Sequence, residues 1–270
     1  MTIFGDRLKK SFSNINKEKR NGLIAFITAG DPNLDTSQKI LEELPKAGAD
    51  IIEIGMPFTD PMADGPIIQA SYQRALSSGQ SLNLTLKMVK KFREQNKTTP
   101  IILMGYFNPI FQMGINNFLE DCLKFGVDGI IIVDLPYESD KHFFESCKRK
   151  KINFIRLITP TTKGSRLIKL LKRSSGFIYY ISVAGITGST SAPISEIRTT
   201  IEMIKNNTGL PVAVGFGIKN ANQVSDINKF ADAAVVGSAI VSRIEDAVLN
   251  NKDPVNESLN FVEKLIRNTS

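Results

Sequence analysis

Short, almost uninterrupted apolar runs rich in β-branched residues alternate along this chain with longer stretches of helical spacing. Eight such runs occur: Leu23–Ala29, Ile51–Met56, Pro100–Tyr106, Gly129–Leu135, Asn153–Thr159, Phe177–Val183, Pro211–Gly217 and Ala233–Ala239. Between them, amphipathic stretches such as Asp35–Ala47, Asn116–Phe125, Ser139–Lys150 and Ile194–Asn206 predict helices, several opened by Asp, Asn or Ser in capping positions. Gly48, Gly126 and Gly209 fit helix stops. Strands with nearly continuous apolar character belong to a parallel sheet covered on both faces by crossover helices. Eight strand–helix units in about 250 residues fit a closed TIM (β/α)8 barrel better than an open doubly wound sheet, which usually stops at about five to seven strands. Phe4–Ile15 and Leu82–Gln95 add helices outside the repeat. No Pro/Gly/Ser linker or shift in composition divides the chain, so residues 1–270 are expected to form a single TIM-barrel domain.

Composition narrows the function classes. At 42% hydrophobic and 23% charged residues the chain is globular in character, which excludes disordered and fibrous classes. No apolar run approaches the roughly 18 residues that cross a bilayer. The start MTIFGDRLKKSF has neither the hydrophobic stretch nor the cleavage site of a secretory signal, nor an Arg- and Ser-rich leader. A cytoplasmic location is therefore expected, or the plastid stroma for a plastid-encoded chain. Cys122 and Cys147 are too few and too far apart for a disulfide framework or a CxxC metal site, and read as inert core or helix residues. The net charge of +7 raises the question of nucleic acid. The short basic clusters at Lys17–Arg20 and Lys148–Lys151 contain no aromatics and accompany no recognition motif, so they read as solvated helix faces.

In such a barrel the chemistry sits at the C-terminal ends of the strands and in the loops that follow. The second run and its loop, Ile51–Pro66, are the richest of these positions. Glu53 stands alone among isoleucines, sharing a strand face with Ile51 and Gly55 while Ile52 and Ile54 take the other. With Ile52 and Ile54 on the helices, Glu53 points into the barrel, and Gly55 leaves space above it. Desolvation there raises a carboxyl pKa toward the range useful for proton transfer. The competing reading is a Glu bonded to backbone or lysine in a polar core network. The loop Pro57–Pro66 brings Asp60 or Asp64 toward the pocket, and two carboxylates in different settings divide the roles of proton carrier and fixed charge. Asp64, just before Gly65-Pro66, equally fits a helix N-cap.

Glycines at Gly185–Thr190, Gly215-Phe216-Gly217 and Gly237-Ser238 follow the last three runs. At the strand ends of a barrel they fit a cradle of backbone N–H groups for a phosphate, with Gly185–Thr190 as a lid. Gly215-Phe216-Gly217 is not a dinucleotide fingerprint, because the third glycine is missing. His142, the only histidine, falls on a predicted helix, so no Ser-His-Asp triad and no histidine-rich metal cluster is expected. No strand-end lysine stands where a Schiff base would form. Metal-free acid–base chemistry on a phosphorylated small molecule remains, carried by carboxylates with Tyr179 or Tyr106.

The block from Glu53 to Pro66, with Phe26–Pro32, Gly185–Gly188 and Gly215–Ile218, closely resembles the tryptophan synthase alpha chain, in order along nearly the whole chain. The resemblance implies a TIM barrel that cleaves indole-3-glycerol phosphate to indole and glyceraldehyde 3-phosphate in tryptophan biosynthesis. It implies Glu53 as general acid/base, Asp64 as the carboxylate that stabilises the indole nitrogen, and Tyr179 as an assisting pocket residue. Phe26, Ile68, Tyr106 and Phe216 would border the ligand, and Thr187, Gly188, Gly217, Gly237 and Ser238 would surround its glycerol phosphate. It further implies no cofactor on this chain and a beta chain partner that carries pyridoxal phosphate and receives indole in a two-alpha, two-beta tetramer, with loop Pro57–Asp64 in the contact. Met56, Thr59 and Met62 replace the more usual Val, Ser and Leu, and Ala184 stands where some relatives have a basic or polar residue. Two alternatives are a catalytically silent barrel that activates a partner and another sugar-phosphate barrel isomerase. The apolar and aromatic pocket residues fit a bulky ring better than a sugar phosphate alone.

Overall fold

The computed structural model describes residues 6–182, 194–215 and 217–267. In chain order the elements are α1 (Asp6–Lys17), β1 (Gly22–Thr28), α2 (Leu34–Glu43), β2 (Ile51–Gly55), α3 (Pro66–Ser77), α4 (Leu82–Gln95), β3 (Ile101–Gly105), α5 (Phe107–Met113), α6 (Ile115–Phe125) and β4 (Gly129–Ile132). They continue as α7 (Lys141–Lys150), β5 (Asn153–Phe154), β6 (Arg156–Ile158), α8 (Gly164–Lys172), β7 (Ile178–Ile181), α9 (Ile194–Asn207), β8 (Val212–Gly215), α10 (Ala221–Asn228), β9 (Ala233–Val236), α11 (Ser238–Leu249) and α12 (Pro254–Arg267).

All strand pairs are parallel, in the order β5-β4-β3-β2-β1-β9-β8-β7-β6. The two ends of that order are one strand of the barrel, interrupted at Ile155. β5 pairs with β4, β6 pairs with β7, and the Ile155 N–H bridges back to the Ile130 carbonyl at 3.0 Å. The sheet thus goes round as eight strand positions, the (β/α)8 barrel that the alternation predicts. α4 has the expected limits, whereas α2 ends at Glu43: Leu44 still has helical backbone, but Pro45 after it has no N–H to continue the helical hydrogen bonds. Gly126 closes α6 in the left-handed conformation (φ 88°), but Gly209 is not among the positive-φ glycines and lies two residues past the end of α9.

Alternation along the strands separates two cores. Ile52 and Ile54 belong to the apolar layer between sheet and helices, while Ile24, Ile51, Ile102, Ile131, Ile155 and Phe177 fill the barrel interior. Leu8, Phe12 and Ile15 of α1 join that interior cluster and plug its N-terminal end. At that end the strands are held by a recurring pair of hydrogen bonds. The residue ahead of every second strand position gives its N–H to the carbonyl of the preceding strand and takes that same residue's N–H on its side chain. Asp50 does so with Leu23, Asp128 with Ile101, Asp232 with Val212, and Ser175 with Phe154 through its hydroxyl. Arg7 and Arg93 pair with Asp128 at 2.7 and 2.8 Å, which ties α1 and α4 to this base.

Candidate active site

Glu53 is the middle residue of β2, paired with Phe26 of β1 on one side and Ile102 of β3 on the other. It points into the barrel, is 1% exposed, and neither carboxyl oxygen has a hydrogen-bond partner among the described residues. The core-network alternative therefore fails, since no backbone group or lysine holds it. Burial, with a smaller push from the negative charge of Asp64, raises the Glu53 pKa to about 8. A group so placed keeps its proton at neutral pH. The space above Glu53 at Gly55 is not free: a Cβ there would stand 2.6 Å from Cζ of Phe26 and 3.1 Å from the hydroxyl of Tyr72. Glycine at this position admits those two rings.

Asp64 is not the N-cap of α3. That place is taken by Gly65, without a side-chain cap, and Pro66 opens the helix. The Asp64 carboxylate instead accepts the Tyr106 hydroxyl at 2.6 Å, and the same hydroxyl accepts the Ala63 N–H at 3.0 Å. Gln69 secures the loop further through the Asp64 carbonyl at 2.8 Å. Burial raises the Asp64 pKa and the Tyr106 bond works against it, favouring the charged form. Asp60, by contrast, is exposed and accepts the neighbouring Thr59 hydroxyl.

Tyr179, on β7, shares the barrel interior; burial and the charges of Glu53 and Asp64 raise its pKa, so it stays a protonated phenol. Its hydroxyl lies 2.8 Å from where a Cβ on Gly215 would stand, which shows why β8 ends in glycine. Phe26 and Tyr106 pack together in a cluster with Tyr72 and Val241, and Ile68 of α3 leans on it. Gly237 is the N-cap of α11 and approaches Phe26 closely, with a built Cβ 3.3 Å from that of Phe26; Ser238 opens the helix. Gly217 is exposed in left-handed backbone (φ 62°) just beyond β8. Thr187, Gly188 and Phe216, with the predicted lid Gly185–Thr190, lie outside the described residues.

Sequence reasoning did not single out Tyr72 or the hydroxyl pair of Thr28 and Ser71, 2.6 Å apart. The signal was a polar-tipped residue in the inward stripe Ile68, Tyr72, Ala75 of α3. Among the described residues there is no group of three or more His, Cys, Asp or Glu able to hold a metal, and no helix long and apolar enough to cross a membrane.

A closed parallel barrel with a buried acid at the middle of β2, unpartnered among the described residues, and a second carboxylate on the loop that follows is the architecture of a barrel enzyme working by acid–base chemistry. A family model for the tryptophan synthase alpha chain matches residues 12–269. The tryptophan synthase alpha subunit of Legionella pneumophila is 32% identical, with 99% of each chain covered and a TM-score of 0.91. A chain of the tryptophan synthase a2b2 complex of Pyrococcus furiosus is 35% identical over 92% of this chain and 99% of that one, with a TM-score of 0.82. Tryptophan synthase from M. tuberculosis, in its aminoacrylate-bound form, gives 26% identity and a TM-score of 0.86 over 98% and 99% of the two chains. The chain belongs to the tryptophan synthase alpha chain family, the lyases that cleave indole-3-glycerol phosphate in tryptophan biosynthesis.

Proposed function

We propose that Glu53 and Asp64 carry the cleavage of indole-3-glycerol phosphate to indole and glyceraldehyde 3-phosphate, with residues 1–270 acting as one domain. The observation behind this reading is the buried, partnerless carboxyl of Glu53, protonated up to about pH 8. An aldol cleavage needs an electron sink, and protonation of the indole ring at C3 creates one, because the ring nitrogen then carries positive charge. Glu53 donates that proton. Asp64, whose charged form is favoured by the Tyr106 hydrogen bond, faces the cationic nitrogen and stabilises it. The bond between C3 and the side-chain carbon then breaks, its electrons returning to the ring as indole. The hydroxyl on that carbon gives its proton to the Glu53 carboxylate and becomes the aldehyde of the product, which restores the starting acid. Tyr179 assists from the opposite wall, and Phe26, Ile68, Tyr106 and Phe216 border the ring.

The phosphate is assigned to Gly217, Gly237 and Ser238 together with Thr187 and Gly188. The first amides of α11 have no acceptor within their own helix, and Gly237 brings no side-chain cap to them, which suits an anion. No cofactor is assigned to this chain. Pyridoxal phosphate belongs to the partner beta chain of a two-alpha, two-beta tetramer, the assembly of the Pyrococcus furiosus relative. Met62 on the loop after β2 and Phe111 on α5, 66% and 61% exposed, offer that partner two apolar contacts at the same end of the barrel. A cytoplasmic or stromal location fits these partners, with neither nucleic acid nor membrane assigned.

The test is Glu53→Gln, assayed with and without a beta chain. Cleavage should vanish while a glycerol-phosphate analogue still binds. Turnover near the parent rate would refute the assignment, and a parent chain inactive in both settings would favour the silent partner.

A further inference from the structure

Tyr72 has no part in the chemistry above, yet it is 1% exposed and sits in the middle of the site. Its ring packs among Phe26, Tyr106 and Val241. Its hydroxyl stands 3.1 Å from where a Cβ on Gly55 would lie. Gly55 follows Glu53 by two residues on the same inward face of β2, so the Tyr72 hydroxyl occupies the layer directly above the Glu53 side chain. Among the described residues neither oxygen of Glu53 has a hydrogen-bond partner, and the Tyr72 hydroxyl makes no hydrogen bond while staying open to the space of the site. The surrounding donors are committed elsewhere. Thr28 and Ser71 bond each other and Tyr106 bonds Asp64; the Tyr179 hydroxyl, the other donor without a bond, is turned against Gly215.

We propose that Tyr72 is a positioning residue for Glu53: its hydroxyl is the donor that the Glu53 carboxylate takes up whenever it is ionised. The proposal deepens the functional reading and rests on Glu53 as the proton carrier. A carboxylate formed in an apolar pocket is costly without a donor, and the Tyr72 hydroxyl, bonded to nothing else, is there to supply one. That hydrogen bond is worth most in the charged half of the cycle. The groups that face this pair are Asp64 from the loop after β2, Tyr106 from the end of β3 and Tyr179 from β7. Burial above all, then Asp64, Tyr106 and Glu53, raise the Tyr72 pKa well above the ordinary phenol value, so it remains a donor throughout the working range.

A donor to the charged form lowers an acid's pKa, and its removal raises it. The experiment follows the Glu53 carboxyl carbon by NMR in the full chain made with 13C-labelled glutamate, the signal being identified by its absence in Glu53→Gln. In Tyr72→Phe the Glu53 midpoint should move upward by roughly one pH unit, the size expected for a hydrogen bond to a charged group. Turnover should fall with KM unchanged. Incorporation of 3-fluorotyrosine at position 72 keeps the shape and strengthens the donor, so the midpoint should move downward; this chain carries the test if the Phe variant folds poorly. A Glu53 midpoint equal to the parent's in either folded variant overturns the proposal, as does a loss of turnover with no such shift. The midpoint is read without catalysis, so retained turnover in Glu53→Gln would remove the proposed function and leave this hydrogen bond standing.

Discussion

Tyr106 and Asp64, 42 residues apart, share a 2.6 Å hydrogen bond from the phenolic hydroxyl to a carboxylate oxygen. The same hydroxyl takes the Ala63 N–H, so one side chain fixes both the charge and the backbone of the loop after β2. Tyr106→Phe keeps the ring against Phe58, 5.2 Å away, and removes the hydroxyl with both of its bonds. Turnover should fall by about tenfold or more, the equivalent of one hydrogen bond to a charged group. Steady-state kinetics on the purified variant, with its melting temperature as a control for folding, checks this.

Glu53 makes stability depend on pH in a calculable direction. Its folded pKa of about 8 exceeds the ordinary 4.5, so the native chain keeps a proton that the unfolded chain releases. Stability from this group is therefore full below about pH 4.5 and falls until about pH 8, where the native carboxyl also ionises. Glu53→Gln removes the penalty: its advantage over the parent should be near zero at about pH 4.5 and about 3 kcal/mol at about pH 7. Urea unfolding of both proteins at the two pH values gives the difference, and parallel curves would contradict the burial of an unpaired acid.

At the other end of the barrel, Asp128 is fully buried and accepts Arg7, Arg93 and the Ile101 N–H. Asp128→Asn removes the one carboxylate that Arg7 and Arg93 share and should cost about 3 kcal/mol. The folded fraction should turn over as the parent does, because this network lies at the base of the barrel. A urea midpoint that does not move would show that water compensates both guanidinium groups.

Met62→Lys and Phe111→Lys place charge on the two exposed apolar side chains near the mouth. Each should weaken binding of a beta chain by about tenfold or more, as expected for loss of an apolar anchor, with the melting temperature of the isolated chain unchanged. Titration calorimetry against the purified beta chain measures it.

Much of this architecture was legible because strands announce themselves through alternation. Ile52 and Ile54 on the helix side force Glu53 inward, and no tertiary information is needed for that step. The break at Ile155 was not legible, because that residue is as apolar as its neighbours; it is paired to β4 through its N–H and packs where Gly129 makes room. α5 escaped notice because its N-terminal N–H at Phe107 is satisfied by Asp134, at the end of a different strand, rather than by a local cap. The two possible roles of Asp64 were equal in sequence for the same reason: the residue that decides between them, Tyr106, is distant along the chain. Tyr72 was hidden by its own helix, where a tyrosine in an apolar stripe looks like packing until its hydroxyl is seen beside Gly55.

The paired bonds made by Asp50, Asp128, Ser175 and Asp232 recur once for every two strands, so the barrel floor is four copies of one small latch. Each latch pins the sliding register of its own couple of strands from below, without help from any loop at the mouth. The upper rim is thereby released from structural duty: sequence changes there can alter what the pocket accepts while the staves beneath keep their alignment.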